Sequence, residues 1–200
     1  MSFPIIPGMP ADSRKLILAS KSPRRNELMK MAGFSFEVSS KDVEENHPEG
    51  MAQRDIPVHL AQKKAQAFLP ELKADEIVIG ADTIVLLNNR IYEKPTDRED
   101  AVRMLAALSG QVHEVITGVC ILSLQKEILF SETTRVHFNA LTQQEIEYYV
   151  DTFKPYDKAG SYACQEWIGA VGIKSFEGDY FNVVGLPVNR VYATLKDFQP

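Results

Sequence analysis

Lys15-Leu16-Ile17-Leu18-Ala19-Ser20-Lys21-Ser22-Pro23-Arg24-Arg25 is the stretch on which the fold turns. A short apolar run passes into small and polar residues. Pro23 then opens a segment of helix formers, Arg24 to Met31, which Gly33 closes. The order is strand, turn, helix. At such a junction free backbone N–H groups and the positive end of the helix dipole point at one spot, where anions bind readily. Two serine hydroxyls add donors, and two arginines add guanidinium forks that match phosphate oxygens. Ser22 as a simple N-cap, Pro23 as a first-turn residue and the arginines as a solvated face explain the same residues equally well. The segment is not a Walker motif, since it lacks the glycines and the terminal lysine and hydroxyl pair.

Outward from this unit, Phe34-Ser35-Phe36-Glu37-Val38 alternates like a half-buried strand, and the acidic Asp42 to Glu49 reads as an exposed loop. A helix is expected from near Pro57, with Leu60, Lys64 and Phe68 at four-residue steps, so Lys64 lies on or beside an apolar stripe. Glu76 to Leu87 reads as a buried strand turned by Asn88-Asn89 into Arg90-Ile91-Tyr92. Thr96-Asp97-Arg98-Glu99 fits a capping box ahead of a helix with core residues Val102, Leu105 and Leu108, ended by Ser109-Gly110. Strands follow at Glu114 to Leu124 and Ile128 to Phe138. Thr142-Gln143-Gln144-Glu145 repeats the capping signature, with Ile146, Tyr149, Val150 and Phe153 as the buried face. Beyond Lys154-Pro155 the pattern turns loop-rich until an apolar stretch at Phe181 to Leu186 and a C-terminal helix from Pro187 or Val188. The expected architecture is α/β, a mixed twisted sheet with flanking helices.

The chain has 200 residues, 44% hydrophobic and 24% charged, enough for one substantial core, built as one domain over 15–200 behind a short N-terminal tail over 1–14. A net charge of -5 argues against coating nucleic acid, so a polyanionic ligand needs a local cationic pocket. The longest apolar stretches fall far short of the roughly 20 residues a membrane span requires. The N-terminus lacks the pattern of a secretory signal, which leaves a cytoplasmic protein as the expectation. Cys120 and Cys164 have neither disulfide-framework nor zinc-ligand spacing.

Several other residues carry chemistry. Asp82, inside the apolar Ile79-Gly80-Ala81-Asp82-Thr83-Ile84, demands a partner, a metal or a duty, and Gly80 and Ala81 leave room for a ligand at the backbone. Glu44 and Glu45 are solvated loop residues unless another carboxylate converges on them. Lys94 is biased towards an extended backbone by Pro95. Asp157-Lys158-Ala159-Gly160-Ser161-Tyr162 with Gln165 reads either as a surface loop or as one that encloses a ligand, Gln165 offering the donor and acceptor that a nucleobase edge requires.

Taken in order, Ala19 to Arg25, Leu60-Ala61-Gln62-Lys63-Lys64-Ala65, Gly80-Ala81-Asp82-Thr83, Glu93-Lys94-Pro95, Leu108-Ser109-Gly110, Thr117-Gly118-Val119, Asp157-Lys158-Ala159-Gly160 and Asn182 to Pro187 resemble the Maf proteins. These are nucleoside triphosphate pyrophosphatases once associated with septum formation. The resemblance implies an ITPase-like fold of two lobes around a nucleotide-binding cleft, a divalent cation (Mg²⁺ or Mn²⁺) and a homodimer. It makes Asp82 the proton acceptor, joined by Glu45 near the metal. Ser20, Arg24, Arg25, Lys64 and Lys94 hold the triphosphate. Arg24, Thr83 and Gln165 look like the set of the dTTP and UTP pyrophosphatases. A preference for 7-methyl-GTP or non-standard purine triphosphates, or a nucleotide-binding regulator of division without turnover, are the alternatives. Two departures stand out: Glu93 in place of a frequent glycine, and Tyr162-Ala163-Cys164-Gln165-Glu166-Trp167 in place of a more usual Tyr-Gly-Ile-Gln-Gly.

Overall fold

Strand β1 (Lys15–Ala19) is central and parallel to both neighbours, β2 (Phe36–Ser39) and β3 (Glu76–Leu87), with Leu18 opposite Val38 on one side and Ile79 on the other. Its Leu16, Ile17, Leu18 and Ala19 are all buried, as expected of a parallel strand covered on both faces. The computed structural model describes residues 14–198, so nearly all of the expected tail over 1–14 lies outside the described residues. Between the strands stand α1 (Pro23–Met31) and α2 (Ile56–Gln66). After β3 come β4 (Arg90–Tyr92), α3 (Arg98–Leu108), β5 (Val112–Leu122), β6 (Glu127–Phe138) and α4 (Gln143–Phe153). The chain continues through α5 (Trp167–Gly172), β7 (Ile173–Glu177), α6 (Tyr180–Val184) and α7 (Val188–Lys196). The seven strands form one mixed sheet in the order β2-β1-β3-β5-β6-β7, with β4 paired antiparallel to β3.

Local chemistry explains the boundaries. Ser22 caps α1 through its hydroxyl, Pro23 occupies the first turn, and Gly33 at φ 77 leaves the helix in a left-handed conformation. Asn88 and Asn89, at φ 49 and 63, supply the two left-handed residues of the tight β3–β4 hairpin. Thr142 and Glu145 cap α4 reciprocally, and its buried Ile146, Tyr149 and Val150 each contribute about 1.5–3 kcal/mol of apolar burial.

Three expectations are corrected. The cap of α3 is one residue later than expected: Asp97 accepts the Asp100 N–H, while the Asp100 carboxylate accepts from the Thr96 N–H. The Asp100 carboxylate thus reaches the residue before the cap, and the reciprocal box expected through Glu99 is not the one that forms. The region past Lys154 is not merely loop, since α5, β7 and α6 lie within it. Their shortness leaves too few periods for the pattern to register. β2 lies at the end of the strand order with Val38 half-exposed, so its alternation marks a sheet edge more than a half-buried strand.

Two compact units emerge. The first comprises the described residues up to Asp82, then Thr117–Glu132 and Gly185 onwards, around Ile17, Ala61, Ala65, Phe68, Val78, Cys120 and Leu122. The second comprises Thr83–Ile116 and Thr133–Val184, around Leu105, Leu108, Val136, Phe138, Ile146, Tyr149 and Ile168. Within the first unit, α2 lies unusually close to the sheet. A Cβ on Gly80 would stand 2.3 Å from the Ala61 carbonyl oxygen, and one on Gly118 would stand 2.2 Å from the Pro57 carbonyl carbon. Gly80 therefore makes room for a helix and not, as expected from the sequence, for a ligand. No helix among the described residues is long and apolar enough to cross a membrane.

Candidate active site

The first unit gathers Ser20, Arg24, Arg25, Glu45, Lys64 and Asp82. Gly80 and Asp82 share one face of β3, because alternate strand residues point the same way. The close approach of α2 at Gly80 carries Lys64, three residues beyond Ala61, onto Asp82. Lys64 Nζ donates to Asp82 Oδ1 at 2.6 Å and stands 2.7 Å from Glu45 Oε1. Lys64 and Asp82 are both mostly buried, with side chains 17% and 14% exposed. The apolar stripe thus delivers an ammonium to two carboxylates. Glu44 instead accepts from Asn46 Nδ2 at 2.8 Å. Lys63 Nζ donates to both the backbone and side-chain oxygens of Asn46, so consecutive lysines fasten the acidic loop to α2.

Arg25 braces the turn after β1. Its Nε donates to the Gly185 carbonyl at 2.8 Å, and Nη1 donates to the Ala81 carbonyl at 2.9 Å and to Ser20 Oγ at 3.4 Å. Burial lowers the Arg25 pKa, opposed by the nearby Asp82 charge, reinforced by Arg24 and opposed again by Glu45. The guanidinium stays charged, since arginine is not deprotonated in proteins. Arg24 beside it is half-buried. The expected cluster of free amides is smaller than the strand-turn-helix pattern implies. The Ser22 N–H donates to Ser20 Oγ and the Arg25 N–H to Ser22 Oγ, so both serines serve the turn itself. An anion on this unit would therefore meet mainly side-chain cations.

The second unit carries Thr83, Lys94 and Gln165. Thr83 is half-buried on β3, on the opposite face from Asp82 by strand alternation. Lys94 and Gln165 are exposed. The loop Asp157 to Ser161 reaches the Lys94 segment through the Gly160 N–H, which donates to the Glu93 carbonyl at 3.0 Å. Gly160 sits at φ 69, and a Cβ there would come within 2.9 Å of Val85 Cγ2. His113 is buried with Nε2 2.7 Å from the Tyr162 hydroxyl. Burial, helped by the charge of His137, pushes its pKa down to about 3.

The sequence did not single out the Gly185 carbonyl as an anchor for Arg25. Its only sign was the glycine itself, which adopts φ 133.

For a metal, the donor chemistry fits. Two carboxylates already share a cation, the Lys64 ammonium, and oxygen donors suit Mg²⁺ or Mn²⁺. Among the described residues no group of three or more His, Cys, Asp or Glu side chains converges, so an ion here would draw its remaining ligands from substrate oxygens and water.

A mixed α/β sheet whose helix-borne lysine spans two carboxylates, next to an arginine-braced turn, has the makings of a site for an anionic substrate. The match to Maf-like proteins spans residues 15–198, and the chain belongs to that family. It is 46% identical over 185 residues to the dTTP/UTP pyrophosphatase of Parabacteroides distasonis, covering 92% of this chain and 96% of that one. It is likewise 46% identical over 183 residues to the dTTP/UTP pyrophosphatase of Phocaeicola vulgatus, covering 91% and 95%. Among solved structures, the Staphylococcus aureus Ham1 protein superposes with a TM-score of 0.55 at 16% identity, covering 93% of this chain and all of that one. That likeness establishes a shared fold.

Proposed function

We propose that this protein hydrolyses nucleoside triphosphates, dTTP and UTP foremost, to the monophosphate and pyrophosphate. The observation that carries the reading is Lys64, held by Asp82 at 2.6 Å and Glu45 at 2.7 Å on the same unit as the braced Arg25. The relatives named dTTP/UTP pyrophosphatase support the choice of nucleotide.

Water attacks the α-phosphorus, its proton passes to the Asp82 carboxylate, and the bond to the bridging oxygen of pyrophosphate breaks. Negative charge then grows on the α-phosphate oxygens and on the leaving group. Lys64 and Arg24 oppose the first, and Lys94 helps neutralise the second. Arg25 acts by its charge and by holding the Ser20 turn to the Ala81 carbonyl, one residue from Asp82. A divalent cation held by Asp82 and Glu45 supplies further neutralisation of phosphate charge when bound. Without it the Lys64 ammonium offsets one of the two carboxylate charges. Thr83 and Gln165 read the base, the Gln165 amide matching the O4 and N3–H edge that thymine and uracil share. A cytoplasmic homodimer completes the proposal.

The test is pyrophosphate release from dTTP, UTP, 7-methyl-GTP and ITP with Mg²⁺ or Mn²⁺. Turnover led by dTTP and UTP is expected. Binding of all four without release of pyrophosphate from any would overturn the enzymatic reading, and a lead by 7-methyl-GTP or ITP would overturn the choice of nucleotide.

A further inference from the structure

Gln165 stands in a turn whose two ends meet on one buried phenol. The Glu166 N–H donates to the Ala163 carbonyl at 3.1 Å, which makes Cys164 and Gln165 the central residues of a four-residue turn. The Ala163 N–H donates to the Tyr149 hydroxyl oxygen at 3.1 Å, and that hydroxyl donates to Glu166 Oε2. The other carboxylate oxygen, Oε1, lies 3.5 Å from the buried Lys158 Nζ. The circuit therefore runs from the first residue of the turn through Tyr149 to the last, with Lys158, which donates to Asp157 Oδ1 at 2.7 Å, standing beside it as a cation shared by two carboxylates.

Glu166 is also the N-cap of α5, yet its side chain makes no bond to the amides of that helix. Serine or aspartate caps better, so helix stability does not explain a glutamate here. The Lys158–Glu166 pair, 3.5 Å apart with the Glu166 side chain 24% exposed and Lys158 already bonded to Asp157, contributes little net stability. What the network supplies is geometry. The backbone beneath Gln165 is fixed further at Gly169, where a Cβ would fall 1.8 Å from the Cys164 carbonyl oxygen. The Gln165 side chain itself remains exposed.

We propose that Glu166 is a positioning residue for base selection, its carboxylate tying Tyr149 and Lys158 to the turn that presents the Gln165 carboxamide. The inference rests on the proposed pyrophosphatase activity. Uracil and thymine offer an N3–H donor and an O4 acceptor where cytosine offers the reverse, so a carboxamide held in one orientation discriminates between them. Loosening the turn loses that discrimination without touching Asp82, Lys64 or Arg25.

The experiment compares wild type, Glu166→Ala, Glu166→Gln, Tyr149→Phe and the Tyr149→Phe/Glu166→Ala double variant in pyrophosphate release from dTTP, UTP and CTP, with thermal melts as a check on folding. In Glu166→Ala, the KM for dTTP is expected to rise and the UTP-over-CTP preference to fall, each about tenfold, the weight of one hydrogen bond, while kcat holds. Glu166→Gln, which still accepts from Tyr149, recovers most of the preference. The double variant loses no more than the worse single variant. A folded Glu166→Ala with unchanged preference, or with an equal loss of kcat on every nucleotide, overturns the inference alone. Wild type inactive on dTTP and UTP overturns the parent reading along with it. Where Glu166→Ala does not fold, Tyr149→Phe decides, and an unchanged preference there overturns the inference.

Discussion

Replacing Gly80 with alanine tests whether the close seat of α2 on β3 is what assembles the acidic site. The new Cβ would stand 2.3 Å from the Ala61 carbonyl oxygen and 3.1 Å from both the Ala65 Cβ and the Ala65 backbone N, whereas ordinary contact begins at 3.4 Å. All three are backbone or short, stiff groups, so the relief has to come from the helix itself. α2 must withdraw by about 1 Å. Overpacking of this kind costs about 1–3 kcal/mol. Lys64 rides on the same helix and Asp82 is two residues along the same strand face, so the 2.6 Å contact between them opens by a comparable distance. A displacement of about 1 Å at a reacting centre lowers turnover about 100-fold. Urea unfolding gives the first quantity and pyrophosphate release from dTTP the second. Gly50→Ala is the control. Unlike Gly80 it has a positive φ, +80, and nothing within 4 Å, so alanine there carries only the left-handed strain of about 1–2 kcal/mol and leaves turnover alone. Gly80→Ala with wild-type stability and wild-type turnover would refute the reasoning.

Asp82→Asn is expected to lower kcat on dTTP by about 100-fold or more while nucleotide binding stays measurable by calorimetry, because the proposed proton acceptor is lost and the arginines remain. His113, buried and neutral with its pKa pushed from 6.5 down to about 3, makes the folded chain bind fewer protons than the unfolded one below pH 6.5. Stability therefore falls by about 1.4 kcal/mol for each pH unit from 6.5 towards 3 on account of this residue alone. His113→Gln keeps an acceptor for Tyr162 without titrating, so denaturation between pH 6.5 and 4 should show a shallower slope in the variant, and equal slopes would exclude the assignment. Thr142→Ala breaks the reciprocal cap of α4 and should cost about 1 kcal/mol in unfolding free energy, with no change in nucleotide preference.

Much of the fold was legible in the residues because its strongest signals are local. β1 and β3 are apolar runs with clear ends, and both were read at their observed bounds. The Asn-Asn hairpin and the Thr142 cap depend on neighbours two or three residues apart. The α3 cap was missed by one position because Thr96 and Asp97 are both competent caps, and only the backbone geometry chooses between them. Gly80 was misjudged for a different reason. A glycine in a strand announces a close approach, but nothing local says whether a ligand or another helix makes it. The resemblance favoured Glu45 over Glu44 on register in a loop. The structure has Glu45 at Lys64, a choice set by lysines on α2 that are 18 or more residues further along the chain. The Arg25 bond to Gly185 spans 160 residues and lay beyond any periodic pattern.

That last span bears on how the chain acquires its shape during synthesis. Neither unit is a continuous stretch of polypeptide: the first is collected from three segments and the second from two. A ribosome that has delivered everything up to Val184 has completed the sequence of the second unit, but the first still lacks Gly185 and α7. Until those residues emerge, the Nε of Arg25 has no Gly185 carbonyl to bind and the turn after β1 lacks this brace, although Arg25 is made 160 residues earlier. The turn after β1 is thus made well before the residue that braces it, and Arg25 gains its Gly185 partner only after both segments of the second unit have been synthesised.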